Sequence, residues 1–386
     1  MPWSVKGVVD QRVEFVLRVK QKEASVSRLC GEYGISRTTG HLWLRRYREA
    51  ESFTALENRS RRPQHSPRRT PAEVEAAVLQ LRDTYGWGAR KLQVRLREEY
   101  GLEVPFITVH RIVKRHGRLG RRDVQGTATQ RFQRGAPNEL WQLDFKGKYP
   151  LRDGVCHPLL LLDDHCRYLL GLWPLPNQQT EGVHGALQGC FREVGVPEEL
   201  LLDRGVPWWS TSSEHGLTRL SVWLLNQDLR LIHGRARHPQ TRGKLERSNR
   251  TLDERTRHEG LPETLVGWQR WGPRYREEYN TIRPHEALGM QGPAEVWAPV
   301  HLRPYQERPR PYDYGAAEVC RLNTEGFVSY RGQRHFVCEA LAEERVRVDE
   351  LDALLVVTYR ATAVREINLR TGATRALLQP GPSAKV

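Results

Sequence analysis

No two cysteines in this 386-residue chain stand in a C-x-x-C pair. The six present, Cys30, Cys156, Cys166, Cys190, Cys320 and Cys338, are widely dispersed. That argues against a zinc knuckle and against a disulfide framework. It fits a reducing compartment and ordinary burial. Long apolar runs are missing too. Leu159–Leu162 is typical of the longest, far short of the roughly 20 residues that span a bilayer. Met1–Asp10 has no apolar signal region. The expectation is a soluble, cytoplasmic protein with no membrane partner.

What is present is positive charge, and it is unevenly placed. The net charge is +15. Residues 1–137 hold 28 Lys and Arg against 14 Asp and Glu; the remainder holds 33 against 32. A basic excess confined to the first third points to a polyanionic partner rather than a generally solvated surface. The length allows two to four domains.

Residues 8–50 read as three short helices. Val9, Val13, Val16 and Leu17 recur at helical spacing; Val26, Leu29 and Cys30 mark a second helix. Gly34 breaks it, Ile35 can plug the turn, and Ser36 can cap a third helix. That third helix carries Arg37, Thr38, Thr39, His41, Arg45 and Arg46 outward, the pattern of a helix-turn-helix DNA reader. Residues 57–69 form a linker with Arg59, Arg61, Arg62, Arg68 and Arg69, a basic strap suited to phosphates or a groove. Thr70-Pro71-Ala72-Glu73 reads as a capping box. A helix from about Arg90 to Tyr100 follows, stopped by Gly101, and Thr108 opens another. This second helix-turn-helix unit turns Arg111, Lys114 and Arg115 outward, with Arg121 and Arg122 beyond. The domain reading is 1–56 and 70–122 for the two readers, 57–69 and 123–137 for linkers, 138–299 for a central domain and 300–386 for a small β-barrel.

From residue 138 the texture changes. ELWQLDFKGKYP, HPLLLLDDHCRYLLGLWPL and PEELLLDRG are apolar runs bounded by Gly and Pro and read as buried strands. A helix is expected at roughly 180–194, and helices dominate from 215 to about Pro299. Residues 316–377 return to short alternating strands.

Asp144 falls inside the first strand, an expensive place for a carboxylate without a partner or metal. Asp203 ends the strand Leu200-Leu201-Leu202, where sites of α/β sheets are built. Glu246 opens a helix after Gly243, with Lys244, Arg247 and Arg250 around it. Three carboxylates suit Mg²⁺, with Mn²⁺ as a substitute, and two such ions can activate an attacking oxygen and stabilise a leaving one in phosphodiester displacement.

On these segments the chain resembles bacterial insertion-sequence transposases of the retroviral-integrase superfamily, the Asp-Asp-Glu group. The matching series is Trp141-Gln-Leu-Asp144, Leu162-Asp-Asp-His-Cys-Arg-Tyr168, Leu202-Asp203-Arg-Gly205, the segment from His238 to Glu246 and Arg247, and Tyr279-Asn-Thr-Ile-Arg-Pro-His285 with Leu288. The likeness runs from the helix-turn-helix pair to the C-terminal domain. It implies a multidomain fold: all-α tandem helix-turn-helix, a central α/β ribonuclease H-like integrase catalytic core, and the C-terminal barrel. It also implies Asp144, Asp203 and Glu246 as catalytic and metal-binding residues. Double-stranded DNA would be the partner, both element terminal repeats and target, and the protein would act nucleoid-associated as a homo-oligomer, at least a dimer.

Three departures stand out. Arg204 replaces a small polar residue, 42 residues separate Asp203 from Glu246, and Asp253 stands where relatives often carry Lys or Arg. Asp163 and Asp164 read as structural, with Arg167, the alternative being that one of them faces the site. His238 reads as a loop cap, Tyr279–His285 as a helix end packed on the core, and Trp208 and Trp209 as core or base-stacking rings. Two rivals remain: a catalytically inactive DNA-binding regulator, and a nuclease with a ribonuclease H-like core.

Overall fold

The computed structural model describes residues 7–58, 70–120, 133–203, 205–210, 216–233 and 243–377. Arg59, Arg61, Arg62, Arg68, Arg69, Arg121, Arg122, Arg204 and His238 lie outside the described residues. The chain divides into two units, Met1–Thr70 and Pro71–Val386.

In the first unit, α1 (Val8–Lys20), α2 (Val26–Glu32) and α3 (Arg37–Ala50) enclose Phe15, Val16, Leu29, Cys30, Leu44 and Leu56. Gly34 takes φ +63 between α2 and α3, a conformation that favours glycine. Ile35 packs into the core. Ser36 caps α3, its Oγ accepting from the Thr39 N–H at 3.1 Å. α3 approaches closely because Gly40 has no side chain: a Cβ there would sit 2.5 Å from Cys30 Sγ and 3.1 Å from Phe15 Cζ.

The second unit begins with α4 (Ala72–Tyr85), α5 (Ala89–Tyr100) and α6 (Phe106–Arg115) around Val78, Leu81, Leu92, Leu96, Val109 and Ile112. Fully burying each such side chain contributes about 1.5–3 kcal/mol. Two helix starts differ from expectation. Pro71, with extended ψ, is the N-cap of α4 without a side-chain cap bond, so Thr70 falls outside the cap and no capping box forms. Pro105 likewise starts α6 two residues before Thr108.

The central sheet runs β2-β3-β1-β5-β6, with β4 also on β3. Its strands are β1 (Leu140–Phe145), β2 (Tyr149–Leu151), β3 (Gly154–Asp163), β4 (Leu169–Leu175), β5 (Glu199–Leu202) and β6 (Arg230–His233). β1 pairs antiparallel with β3 and parallel with β5. Near-continuous apolar runs are what burial on both faces demands. On one face Trp141, Leu143, Leu159, Leu161, Leu200 and Leu202 meet α7 (Thr180–Val194) and α8 (Arg219–Asn226). On the other, Leu160, Leu162 and Leu172 meet α9 (Gly243–Glu259) and α10 (Leu265–Glu277). β6 interrupts a stretch expected to be helical; it is only four residues long, too short to show a strand period.

The C-terminal residues do not close into the expected barrel. The strands are β7 (Val319–Arg321), β8 (Phe327–Tyr330), β9 (Gln333–Phe336), β10 (Arg345–Leu351), β11 (Leu354–Tyr359), β12 (Thr362–Asn368) and β13 (Thr374–Ala376), and they form an open sheet, β13-β12-β11-β10-β7, and a separate hairpin, β8-β9. The sheet is anchored on α8. Leu220 and Leu224 face the central core, while Val222 and Leu225 join Val346, Leu355 and Val357. Arg360 pairs with Asp228 at 2.9 Å, and the Tyr359 hydroxyl donates to Asn226.

Candidate active site

Register and side-chain alternation place the two aspartates. β1 and β5 pair Leu140 with Glu199, Trp141 with Leu200 and Gln142 with Leu201. Beyond these pairs, Asp144 lies within β1 and Asp203 just past the end of β5. Trp141, Leu143, Leu200 and Leu202 all point to the α7 side, so alternation within β1 turns Asp144 to the other face. That face is covered by α9, whose first turn carries Glu246. Leu245 is buried in the core beneath α9 and Glu246 is exposed beside it.

Asp203 is closely held. Its Oδ1 accepts from the Gly205 N–H at 2.8 Å and from the Trp208 indole N–H. Trp208 is buried, stacked on Phe145 with centroids 5.6 Å apart. It is therefore a core and positioning ring, unavailable to stack a base. Trp209 is half-buried and meets the His233 ring edge-on at 4.6 Å. The Asp203 carbonyl accepts from His233 Nδ1 at 3.4 Å.

The neighbouring acids serve the frame. Asp163 accepts from Asn138 N at 2.7 Å and from Cys166 N at 2.8 Å; burial pushes its carboxyl up, against these bonds. Asp164 accepts from Gln142 Nε2 at 2.6 Å and from Arg134 N at 2.8 Å. Lys244 Nζ lies 2.6 Å from Asp164 Oδ1. Burial pulls this ammonium down to about 8 although Asp164 opposes the shift. Arg167 donates to the carbonyls of Asp164 and His165. The Tyr279–His285 segment is buried against the sheet: Asn280 Oδ1 accepts from Leu169 N at 2.8 Å and its Nδ2 donates to Leu169 O at 3.0 Å.

Asp253 has partners of its own. It accepts from the Tyr149 hydroxyl at 2.6 Å and pairs with Lys146 at 3.0 Å. The acid on α9 is thus answered by a cation two residues beyond Asp144, a compensation on a different element that position-by-position reading could not see.

The expected DNA-facing residues divide in two. Arg37, Thr38, His41, Arg111, Lys114 and Arg247 are exposed. Thr39 is half-buried in the α3 cap, its hydroxyl 2.9 Å from Ser36 Oγ. Arg45 pairs loosely with Glu49 at 3.8 Å, Arg46 stacks over Trp43 and Arg250 is half-buried. Arg115 is engaged with the buried Glu75 at 2.6 Å.

Comparison with known proteins follows the same division. Residues 11–64 match a helix-turn-helix domain and residues 39–113 a homeodomain-like domain. Residues 227–293, which include Glu246, match the integrase core domain. A 31.7 kDa uncharacterized protein of insertion element IS407 from Burkholderia multivorans is 25% identical over 219 residues, 55% of this chain and 76% of that protein. In its helix-turn-helix matches, its integrase-core match and its insertion-element relative, the chain resembles insertion-sequence transposases. Among solved structures, the HTLV-2 integrase catalytic core domain in complex with magnesium gives a TM-score of 0.32 at 12% identity, over 42% of this chain and 97% of its own. A chain of the simian T-cell lymphotropic virus intasome in complex with PP2A regulatory subunit B56 gamma gives 0.36 at 11% identity, over 77% and 95%.

As a metal site, the donor chemistry fits: three carboxylates offer the oxygen ligands that Mg²⁺ prefers. Among the described residues, however, no three His, Cys, Asp or Glu side chains are drawn together at metal-holding distance. Nor is any described helix long and apolar enough to cross a membrane.

Proposed function

We propose that the protein is a DNA transposase, binding element ends through its helix-turn-helix units and cutting and joining DNA at Asp144, Asp203 and Glu246. The observation that supports this reading is the parallel pairing of β1 with β5, with Asp144 on the first strand and Asp203 just past the end of the second. Asp144, Asp203 and Glu246 would hold Mg²⁺, or Mn²⁺ in its place. When bound, such ions polarise the phosphodiester and make an attacking oxygen available at neutral pH.

The protein's own groups do the rest. Trp208 and Gly205 fix the Asp203 carboxylate, and Lys244 braces α9 against Asp164. Hydrolysis at the element end breaks one P–O bond and frees a 3′-hydroxyl. That hydroxyl then attacks a target phosphodiester, so one P–O bond forms as another breaks and no covalent enzyme intermediate is needed. Two ends must be held together, which calls for at least a dimer.

The test is strand transfer of flanking-repeat DNA with Mg²⁺ or Mn²⁺, beside Asp203→Asn and Glu246→Gln. Joining by the native protein and loss in both variants, with binding kept, supports the reading. Binding without cutting under either metal identifies the inactive regulator. Cutting that ignores the repeat sequence identifies the nuclease.

A further inference from the structure

Between α5, α9 and the segment after α10, positive charge is gathered without a close ion pair among the described residues. Arg283 is 8% exposed. Its terminal nitrogens make only long bonds, to His285 Nε2 and Thr251 Oγ1, each at 3.4 Å. Its Nε is buried with no hydrogen-bond partner, and it lies against no carboxylate, only above the Tyr279 ring at 5.8 Å. Lys91, on the first turn of α5, is half-buried. Its ammonium makes neither a hydrogen bond nor an ion pair with any described residue. Arg283 and Arg247 both act on Lys91 electrostatically, and burial together with them pulls its ammonium down to about 7.

Glu286 and Glu254 oppose that shift but are exposed and form no ion pair with Lys91. His285 is pressed toward neutrality, to about 2, by burial first and then by Arg283 and Lys91. It therefore adds a neutral ring and no charge. The first turn of α5 has no side-chain cap, which leaves its N–H groups toward the same end.

Like charges held together and partly desolvated cost stability unless an anion joins them. We infer that Lys91, Arg247 and Arg283 form a site for a backbone phosphate of duplex DNA, made jointly by the second helical domain and the core. Arg247 adjoins Glu246, so one phosphate seated here would tie the DNA held by α4–α6 to the helix carrying the third carboxylate. Phosphate contacts of this kind set register without reading sequence. The inference rests on the DNA-binding part of the proposed function, not on catalysis.

The experiment is salt-titrated binding of a duplex of arbitrary sequence to the full chain, with Lys91→Met, Arg247→Gln and the double variant, and thermal unfolding of each. Each lost contact should lower the slope of log affinity against log salt by about 1, and affinity near 0.1 M salt should fall on the order of 10-fold in the double variant. Lys91→Met should at the same time raise the melting temperature, which a merely structural lysine would not do. Inorganic phosphate alone serves as a second probe. Equal protection by phosphate and duplex would overturn the assignment to DNA in favour of a free-anion site. Unchanged affinity and slope in the double variant, with the native chain binding well, would overturn the site itself. A native chain that binds no duplex would overturn the DNA reading beneath it, and loss of strand transfer alone would leave the site standing.

Discussion

Trp208 donates its indole N–H to the carboxylate of Asp203 while its ring stacks on Phe145, the neighbour of Asp144. One buried side chain thus links β1, which carries Asp144, to Asp203 at the end of β5. A hydrogen bond to a charged group contributes about 1.5–3 kcal/mol. Trp208→Phe keeps much of the ring and loses the donor, so metal-dependent turnover should drop on the order of 10- to 100-fold with little change in melting temperature. Trp208→Ala also opens a cavity, at a cost of about 3–5 kcal/mol. Turnover and thermal unfolding measured on both variants check this. Equal losses of stability would show that Trp208 is only filler.

Gly205 stands where a side chain would collide with the site. A Cβ there would meet Asp203 Oδ1 at 2.8 Å. Gly205→Ala should turn the Asp203 carboxylate away, and Mn²⁺ affinity measured calorimetrically should weaken while the fold persists. Unaltered Mn²⁺ binding would show that Asp203 is not held as a ligand in this geometry.

The strands that carry Asp144 and lead to Asp203 were legible in the sequence because apolar runs bounded by Gly and Pro mark them. The turn at Gly34 and the cap at Ser36 were legible for the same kind of reason: local chemistry with one solution. β6 was not, since four residues carry too little period. The Asp253–Lys146 pair joins residues 107 apart in the chain, and only packing of α9 on β1 brings them together. The open C-terminal sheet escaped because alternating strands look alike whether or not their edges meet. Lys91 escaped because a basic residue on an amphipathic helix ordinarily reads as solvated.

The Lys146–Asp253 pair makes a cycle possible. Its members are partly screened from water and share Tyr149, whose hydroxyl is pushed up first by burial and then by Asp253. Lys146→Met and Asp253→Asn should each lower stability by about 1 kcal/mol, and the double variant should lose less than their sum. Urea unfolding of the four proteins gives the coupling. Additive losses would mean that Asp253 is held by Tyr149 alone.

The stability of the chain should also carry a signature of Lys91. Its ammonium lies near 7 when folded, against roughly 10.4 for a lysine in water. Between these values the unfolded chain binds more protons than the folded one, so the contribution of Lys91 grows more favourable as pH rises through this window. Below about 7 the cost of the charge is present in full. Lys91→Met removes the charge in both states. Its gain in melting temperature over the native protein should therefore be largest at pH 6–7 and shrink steadily toward pH 10. Bound duplex should erase the difference at pH 7, since a phosphate restores the missing counter-charge. A gap that stays constant across this range would mean that Lys91 remains protonated in both states, and that its surroundings do not destabilise the charge.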